Sequence, residues 1–357
     1  MLSTLIKYRL PLKNCINGVL PSFKCLYSLL ANKPNYFGPL ICMVIPTYRC
    51  NCRCVYCSLE ERKNNGVELN REEILNLAHQ IGKAGIQIVH ISGGEPFLKK
   101  EIFEFIALLK SYNKIVFIDT NGILLEEYFS EILRSGIDFI GISFESHNPS
   151  ICNSLKRTDN AFEKALRGAE AIMKNRKGRR PAIDIKCSIS KANYKELDRY
   201  IENFIKVGDS ITFQPIQDNL IHPSRESSIL FQKTDEEEFR KVFGELVKKY
   251  RFLNNNYYKF MPDFLFNQKK LLDRKQFRCL VPSAFSLSIQ PWGETALCLG
   301  RKDTVIGNIK ESKLMDLWRS KKTFEIQKML RSSSNSCLCW TANNQQLTQI
   351  LTTLKLI

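Results

Sequence analysis

The sequence predicts an α/β fold, a partial (β/α)6 barrel followed by a C-terminal region of β-hairpin plus helix. Two observations carry the prediction. Six short apolar or β-branched runs alternate with longer amphipathic stretches from Ile41 to Pro215, and parallel strands need connections of about helix length. Beyond Phe285 the pattern changes to short strands about a Pro291-Trp292-Gly293-Glu294 turn, which reads as a hairpin.

The strands are expected at 41–47, 86–92, 115–120, 137–143, 182–189 and 210–215, with helices at 71–82, 99–112, 124–135, 161–174 and 194–207. Asn70 followed by Glu73 forms a capping box that opens the first helix, and Thr234 with Glu237 is expected to open a helical bridge reaching about 273. The hairpin pairs 285–290 with 295–299, and 304–309 supplies a third strand. Ser312 is expected to cap a short helix through Trp318, before a second helix to about Arg331. The organisation is a basic arm over 1–38, a barrel core over 39–220, a bridge over 221–276, the hairpin and helix region over 277–340, and a tail over 341–357.

Composition narrows the function class. A chain of 357 residues, 44% hydrophobic and 25% charged, buries a sizeable core, which excludes a disordered protein and a mini-protein scaffold. The uncharged stretches 34–48 and 279–293 are too short and too interrupted by proline to span a bilayer. The net charge is +17, and residues 1–59 hold seven basic residues and no acid, a pattern that fits peripheral contact of the arm with a membrane surface. Nucleic acid is disfavoured, because no aromatic and basic motif of an RNA-binding module is present. Thirteen cysteines, an odd count without a secretory h-region, point to a reducing, cytoplasmic setting and to metal or redox chemistry.

Those thiols cluster twice. Directly after the first expected strand, Cys50, Cys54 and Cys57 form C-x3-C-x2-C in one loop. Three thiolates can ligate three irons of a [4Fe-4S] cube and leave the fourth open; a cramped zinc knuckle that includes Cys52 is the alternative. Ser92-Gly93-Gly94-Glu95-Pro96 closes the second expected strand. There the glycines let backbone approach what a Cβ would exclude, and Glu95 offers a carboxylate to an amino group.

Taken together, these motifs resemble the radical SAM superfamily over about 41–215. The resemblance implies that Cys50, Cys54 and Cys57 hold a [4Fe-4S] cluster on which S-adenosylmethionine chelates the open iron. It further implies that Gly93, Gly94, Glu95 and Pro96 bind the methionyl amine and that Tyr56 lies beside the adenine. Ser143 and Glu145, at the end of the fourth strand, would contact ribose or methionyl groups, with Glu145 standing where an Asp is commoner. Arg157 looks like the basic partner of the SAM carboxylate. The motifs fall at carboxyl ends of strands, where parallel α/β sheets bind ligands.

The second cluster comprises Cys279, Cys298, Cys337 and Cys339, with Gly293 five residues before Cys298. It resembles the SPASM/twitch extensions of the same superfamily, which implies an auxiliary-cluster region with a second [4Fe-4S] cluster. A structural zinc is the alternative. The remaining cysteines, Cys15, Cys25, Cys42, Cys52, Cys152 and Cys187, read as small apolar residues, and His90 as a satisfied core histidine. Substrate contacts are expected from Lys186, Gln214, Gln217, Asp218 and His222; no catalytic residue stands out.

The resemblance implies a radical SAM oxidoreductase or peptide-modifying enzyme acting on a ribosomal peptide or a small molecule, with flavodoxin or ferredoxin as electron donor. The molybdenum-cofactor cyclase branch is weakened, because the sequence ends in Leu354-Lys355-Leu356-Ile357 rather than two glycines. A nucleic-acid-associated iron-sulfur or zinc protein without SAM cleavage is the reading from another class.

Overall fold

A computed structural model of the chain describes residues 24–31, 33–58, 66–216, 226–272 and 281–332. The core elements follow in order as β1 (Ile41–Val44), α1 (Arg71–Lys83), β2 (Ile88–Ile91), α2 (Ile102–Ser111), β3 (Ile115–Thr120), α3 (Phe129–Ser135), β4 (Phe139–Ser143), α4 (Pro149–Lys156), α5 (Ala161–Asn175), β5 (Ala182–Ile189), α6 (Leu197–Phe204) and β6 (Ser210–Pro215). Strands β1 to β6 lie side by side in parallel, the (β/α)6 order expected. One strand face, with Val89, Ile91, Val116, Ile118, Ile140, Ile142, Ile183 and Ile185, packs with the helices into the main core. On the opposite face Ile88, Ile115, Phe139 and Ala182 form an apolar floor with Ile41 and Phe117 near the strands' amino ends.

Three differences from the sequence reading have local causes. Strand β1 stops at Val44, two residues before Pro46, which lacks the N–H a ladder needs. The third helix begins at Phe129, because 123–128 are spent in turns. Helix α4 was not expected; Asn148 caps it, accepting from the N–H groups of Ser150 and Ile151, and Pro149 stands in its first turn.

The first capping box forms as read, with Glu73 N–H donating to Asn70 Oδ1 at 3.0 Å and Asn70 N–H to Glu73 Oε2 at 2.8 Å. The second lies two residues early. Gln232 and Asp235 form it around a single 3-10 turn, and α7 (Glu236–Lys249) continues from that turn, so Thr234 is inside rather than at the cap. Likewise α8 (Leu314–Trp318) starts after Lys313, without a side-chain cap from Ser312, and α9 (Lys321–Arg331) follows.

The hairpin is not a detached unit. Strand β7 (Ser286–Ile289) pairs in parallel with β1, Ile41 opposite Ser286 and Val44 opposite Ile289. Strands β8 (Glu294–Ala296) and β9 (Val305–Asn308) then continue antiparallel, giving one nine-stranded sheet ordered β6-β5-β4-β3-β2-β1-β7-β8-β9. The end of the basic arm is clasped there as well. Buried Asn35 donates from Nδ2 to Ala284 O at 2.8 Å and Gly38 O at 2.9 Å, and accepts at its own carbonyl from Trp318 Nε1 at 2.6 Å. Among the described residues no helix is long and apolar enough to cross a membrane.

Candidate active site

The cysteine loop leaves β1 at the carboxyl end of the sheet and is pinned on two sides. On one side Gly94 N–H donates to Thr47 O at 3.0 Å and Glu95 N–H to Arg49 O at 2.8 Å. On the other, the last turn of α4 receives it: Arg53 N–H donates to Lys156 O at 3.0 Å and Val55 N–H to Leu155 O at 2.9 Å. Within the loop, Cys57 N–H donates to Cys54 O at 3.1 Å. Cys50, Cys54 and Cys57 are partly exposed, whereas Cys52 is buried like Cys25, Cys42, Cys152 and Cys187. Among the described residues no three His, Cys, Asp or Glu side chains are gathered at ion-ligating geometry.

The glycines answer to this loop. A Cβ on Gly94 would stand 2.7 Å from Tyr48 C and 2.8 Å from Arg49 C, and one on Gly93, whose φ is +127°, would stand 2.6 Å from Ile45 Cγ2 and 2.8 Å from Thr47 O. The close approach that the sequence reading gave to a ligand is therefore made, in the chain itself, by the cysteine loop's backbone.

Glu95 is fully buried. Its carboxylate accepts from Thr120 Oγ1 at 2.9 Å, from Asn121 N–H at 2.9 Å and from Phe97 N–H at 3.2 Å, and as a cap it opens the short Pro96–Leu98 turn. Burial outweighs those donors and pushes its carboxyl up to about 7. The side chain thus ties β2 to the end of β3, and from there Asn121 Nδ2 reaches Asn51 Oδ1 at 2.6 Å and Cys50 Sγ at 3.7 Å.

Tyr56 and Glu145 form a second tie. The Tyr56 hydroxyl donates to Glu145 Oε1, and Ser188 N–H on β5 donates to Glu145 Oε2 at 2.8 Å. Glu145 is buried, which raises its carboxyl above the usual range despite Tyr56 and Lys156. Ser143 offers its carbonyl to Lys156 Nζ at 2.6 Å. Arg157, the left-handed cap of α4, is half exposed and pairs with Glu226. Cys54 is more acidic than an ordinary thiol, through its bond with Cys52 first and then the charge of Lys156, which together overcome its burial.

A polar layer lies above the apolar floor. Asp119 on β3 accepts from Lys186 Nζ at 2.5 Å and bonds His90 Nε2 at 2.8 Å. Burial opposes ionisation of Asp119, but the charges of Lys186 and His90 hold it well below the usual carboxylate range. Gly141 on the intervening strand makes this possible, since a Cβ there would stand 2.6 Å from Lys186 Cε and closer still to Asp119 Oδ1. Asp184 adds bonds from Ser210 Oγ at 2.7 Å and Thr212 Oγ1 at 3.0 Å. Lys186 is therefore a member of an ion-pair network, and Gln214 is exposed on β6; Gln217, Asp218 and His222 lie outside the described residues.

Of the second cluster, Cys298 is partly buried after β8, its N–H donating to Thr304 Oγ1 at 3.2 Å. Cys279, Cys337 and Cys339 lie outside the described residues. Sequence reasoning missed Lys156 and the helix that carries it, although Asn148-Pro149 is a helix-start signal.

The residues present fit an iron-sulfur centre: partly exposed thiols on one fixed loop, one of them acidified, beside a buried cation. Comparison with known proteins agrees. Residues 44–186 match the family model of the Radical SAM superfamily, and residues 279–341 match SPASM, an iron-sulfur cluster-binding domain. A probable GTP 3′,8-cyclase of Methanopyrus kandleri is 30% identical over 36% of this chain, and the chain spans only 41% of that relative's own length. A PqqA peptide cyclase of Granulibacter bethesdensis is 26% identical over 78% of this chain and 73% of its own. In fold, Streptococcus suis SuiB bound to precursor peptide SuiA gives a TM-score of 0.62 at 16% identity, covering 81% of this chain and 66% of SuiB. Native anSMEcpe with bound AdoMet gives 0.61 at 18% identity, covering 88% of this chain and 98% of its own.

Proposed function

For a chain that carries a Radical SAM domain and a SPASM iron-sulfur region, we propose the modification of a peptide substrate by hydrogen abstraction. The observation that carries this reading is the long match to a peptide cyclase, over 78% of this chain and 73% of that relative. It is supported by a fold shared with SuiB, solved with its precursor peptide.

When bound, a reduced [4Fe-4S] cluster and SAM supply a 5′-deoxyadenosyl radical. Cys50, Cys54 and Cys57 hold the iron. Gly93 and Gly94 let the motif loop close on the cysteine loop, and Glu95 fixes the ends of β2 and β3, where backbone groups would receive the methionyl amine. Tyr56, held by Glu145, would offer its ring to the adenine, and Arg157, paired with Glu226, would be the basic partner of the SAM carboxylate. The apolar floor seals the barrel's amino end from water. Cys279, Cys298, Cys337 and Cys339 would hold a second cluster that would serve electron transfer or support the pocket, with a flavodoxin or ferredoxin as the electron donor. A small nucleotide is the second reading, favoured by the GTP cyclase relatives, among them one of Saccharolobus solfataricus at 25% identity over 71% of this chain.

The test is iron and sulfide per chain after anaerobic reconstitution, with 5′-deoxyadenosine release under dithionite, for wild type and the Cys50/Cys54/Cys57→Ala variant. About eight irons falling to about four, with release abolished, is expected. Zinc without iron, or release that survives the substitutions, refutes the reading. A short precursor peptide and GTP, offered in turn as substrates, separate the two substrate classes.

A further inference from the structure

Lys156 ends α4 with no exposed surface. A buried ammonium is costly unless an anion balances it. Its Nζ donates to Asn121 O at 2.8 Å and Ser143 O at 2.6 Å, and the Phe144 ring centre lies 5.7 Å away. These partners are neutral. Among the described residues no carboxylate lies within ion-pair distance of it. Glu145 feels the charge of Lys156 without pairing to it, and its carboxylate is held by Tyr56 and Ser188.

The backbone shows what the charge is aimed at. The carbonyls of Lys156 and Leu155 receive the N–H groups of Arg53 and Val55, so the cation and the cysteine loop are fixed to each other. Asn121, whose carbonyl takes one lysine proton, also holds Cys50 through its side chain. Three thiolates around a cluster of two positive charges carry one net negative charge, and reduction adds a second.

We propose that Lys156 is the fixed counter-charge of the metal and thiolate centre at Cys50, Cys54 and Cys57, a positioning residue that favours its reduced state. The proposal rests on the reading that these cysteines hold a redox-active cluster. Two carbonyls and the α4 backbone hold the ammonium rigidly, so it needs no reorganisation when the electron arrives. Arg157, next in the chain, is half exposed and paired with Glu226, so it does not share this role in the described structure.

The test is the midpoint potential of the cluster, read by EPR in the full-length reconstituted protein from the signal that changes when SAM is added. Lys156→Met and Lys156→Gln remove the charge, Gln keeping a donor for one carbonyl; Lys156→Arg keeps it. Circular dichroism and iron content check that each variant folds and loads. The neutral variants are expected to load iron while the equilibrium for reduction falls at least tenfold, about 59 mV for one electron. The arginine variant is expected within a few-fold of wild type. An unchanged potential in either neutral, iron-loaded variant overturns the proposal. A wild-type protein that takes up no iron, or whose signal ignores SAM, overturns the parent reading instead.

Discussion

Gly94→Ala tests what the paired glycines are for. The new methyl would stand 2.7 Å from Tyr48 C and 2.8 Å from Arg49 C, atoms of backbone that no rotamer change can move. Relief requires the cysteine loop to back away, which breaks the 2.8 Å bond from Glu95 N–H to Arg49 O and strains the 3.0 Å bond from Gly94 N–H to Thr47 O. Overpacking of this kind costs about 1–3 kcal/mol and the lost hydrogen bond about 0.5–1.5 kcal/mol, together roughly 1.5–4.5 kcal/mol. With an unfolding entropy of about 2.1 cal/mol/K per residue, a chain of 357 residues loses about 1.3 °C of Tm per kcal/mol. The metal-free variant is therefore expected to melt about 2–6 °C below wild type by circular dichroism, and to take up less iron on reconstitution. A ligand cradle makes the opposite prediction. If apo Tm stays within about 1 °C of wild type while SAM binding alone is lost, the packing argument is wrong.

Other expectations concern charge. Glu95, pushed to about 7 against a usual 4.5, holds its proton more tightly when folded. Its contribution is full below pH 4.5 and lost as pH rises through 7, about 3 kcal/mol in all; urea unfolding of the apo protein at pH 5 and 8 should show this slope, flattened in Glu95→Gln. Asp119→Asn removes a carboxylate shared by Lys186 and His90 and should cost about 3–5 kcal/mol near neutrality. Because its carboxyl is depressed, the penalty should shrink as pH falls below the ordinary carboxylate range, and a constant penalty in acid would contradict the assignment. Arg157→Ala breaks only a partly exposed pair with Glu226, so stability should change by less than about 1 kcal/mol. Its SAM dissociation constant, by equilibrium dialysis, should rise tenfold or more if Arg157 takes the carboxylate.

Local signals made much of this legible. Strands β3, β5 and β6 begin and end where the apolar runs do, because hydrophobic alternation and flanking turns act within a few residues. The cysteine spacing and the Gly-Gly-Glu-Pro turn are likewise contiguous. What stayed hidden depends on residues distant in sequence. Nothing in Ser286-Leu287-Ser288-Ile289 marks β1 as its partner, and nothing beside Glu95 shows that Thr120 and Asn121 will satisfy its carboxylate. Helix α4 is hidden for a different reason: Asn148-Pro149-Ser150-Ile151-Cys152-Asn153-Ser154 is a poor helix former by composition, and its stability comes from the caps and from burying Cys152 and Leu155.

The place of β1 in the sheet sets an order of events during synthesis. This strand emerges early, yet one of its two edges is completed only by β7, some 245 residues later in the chain. At ribosomal rates of about 5–20 residues per second, that edge waits roughly 12–50 s for its partner. Throughout that interval the nascent barrel presents a row of unpaired N–H and C=O groups ahead of the cysteine loop, a template for stray strands. Until the hairpin arrives that edge is an aggregation liability, and Asn35 can close its clasp only after Ala284 and Trp318 have emerged.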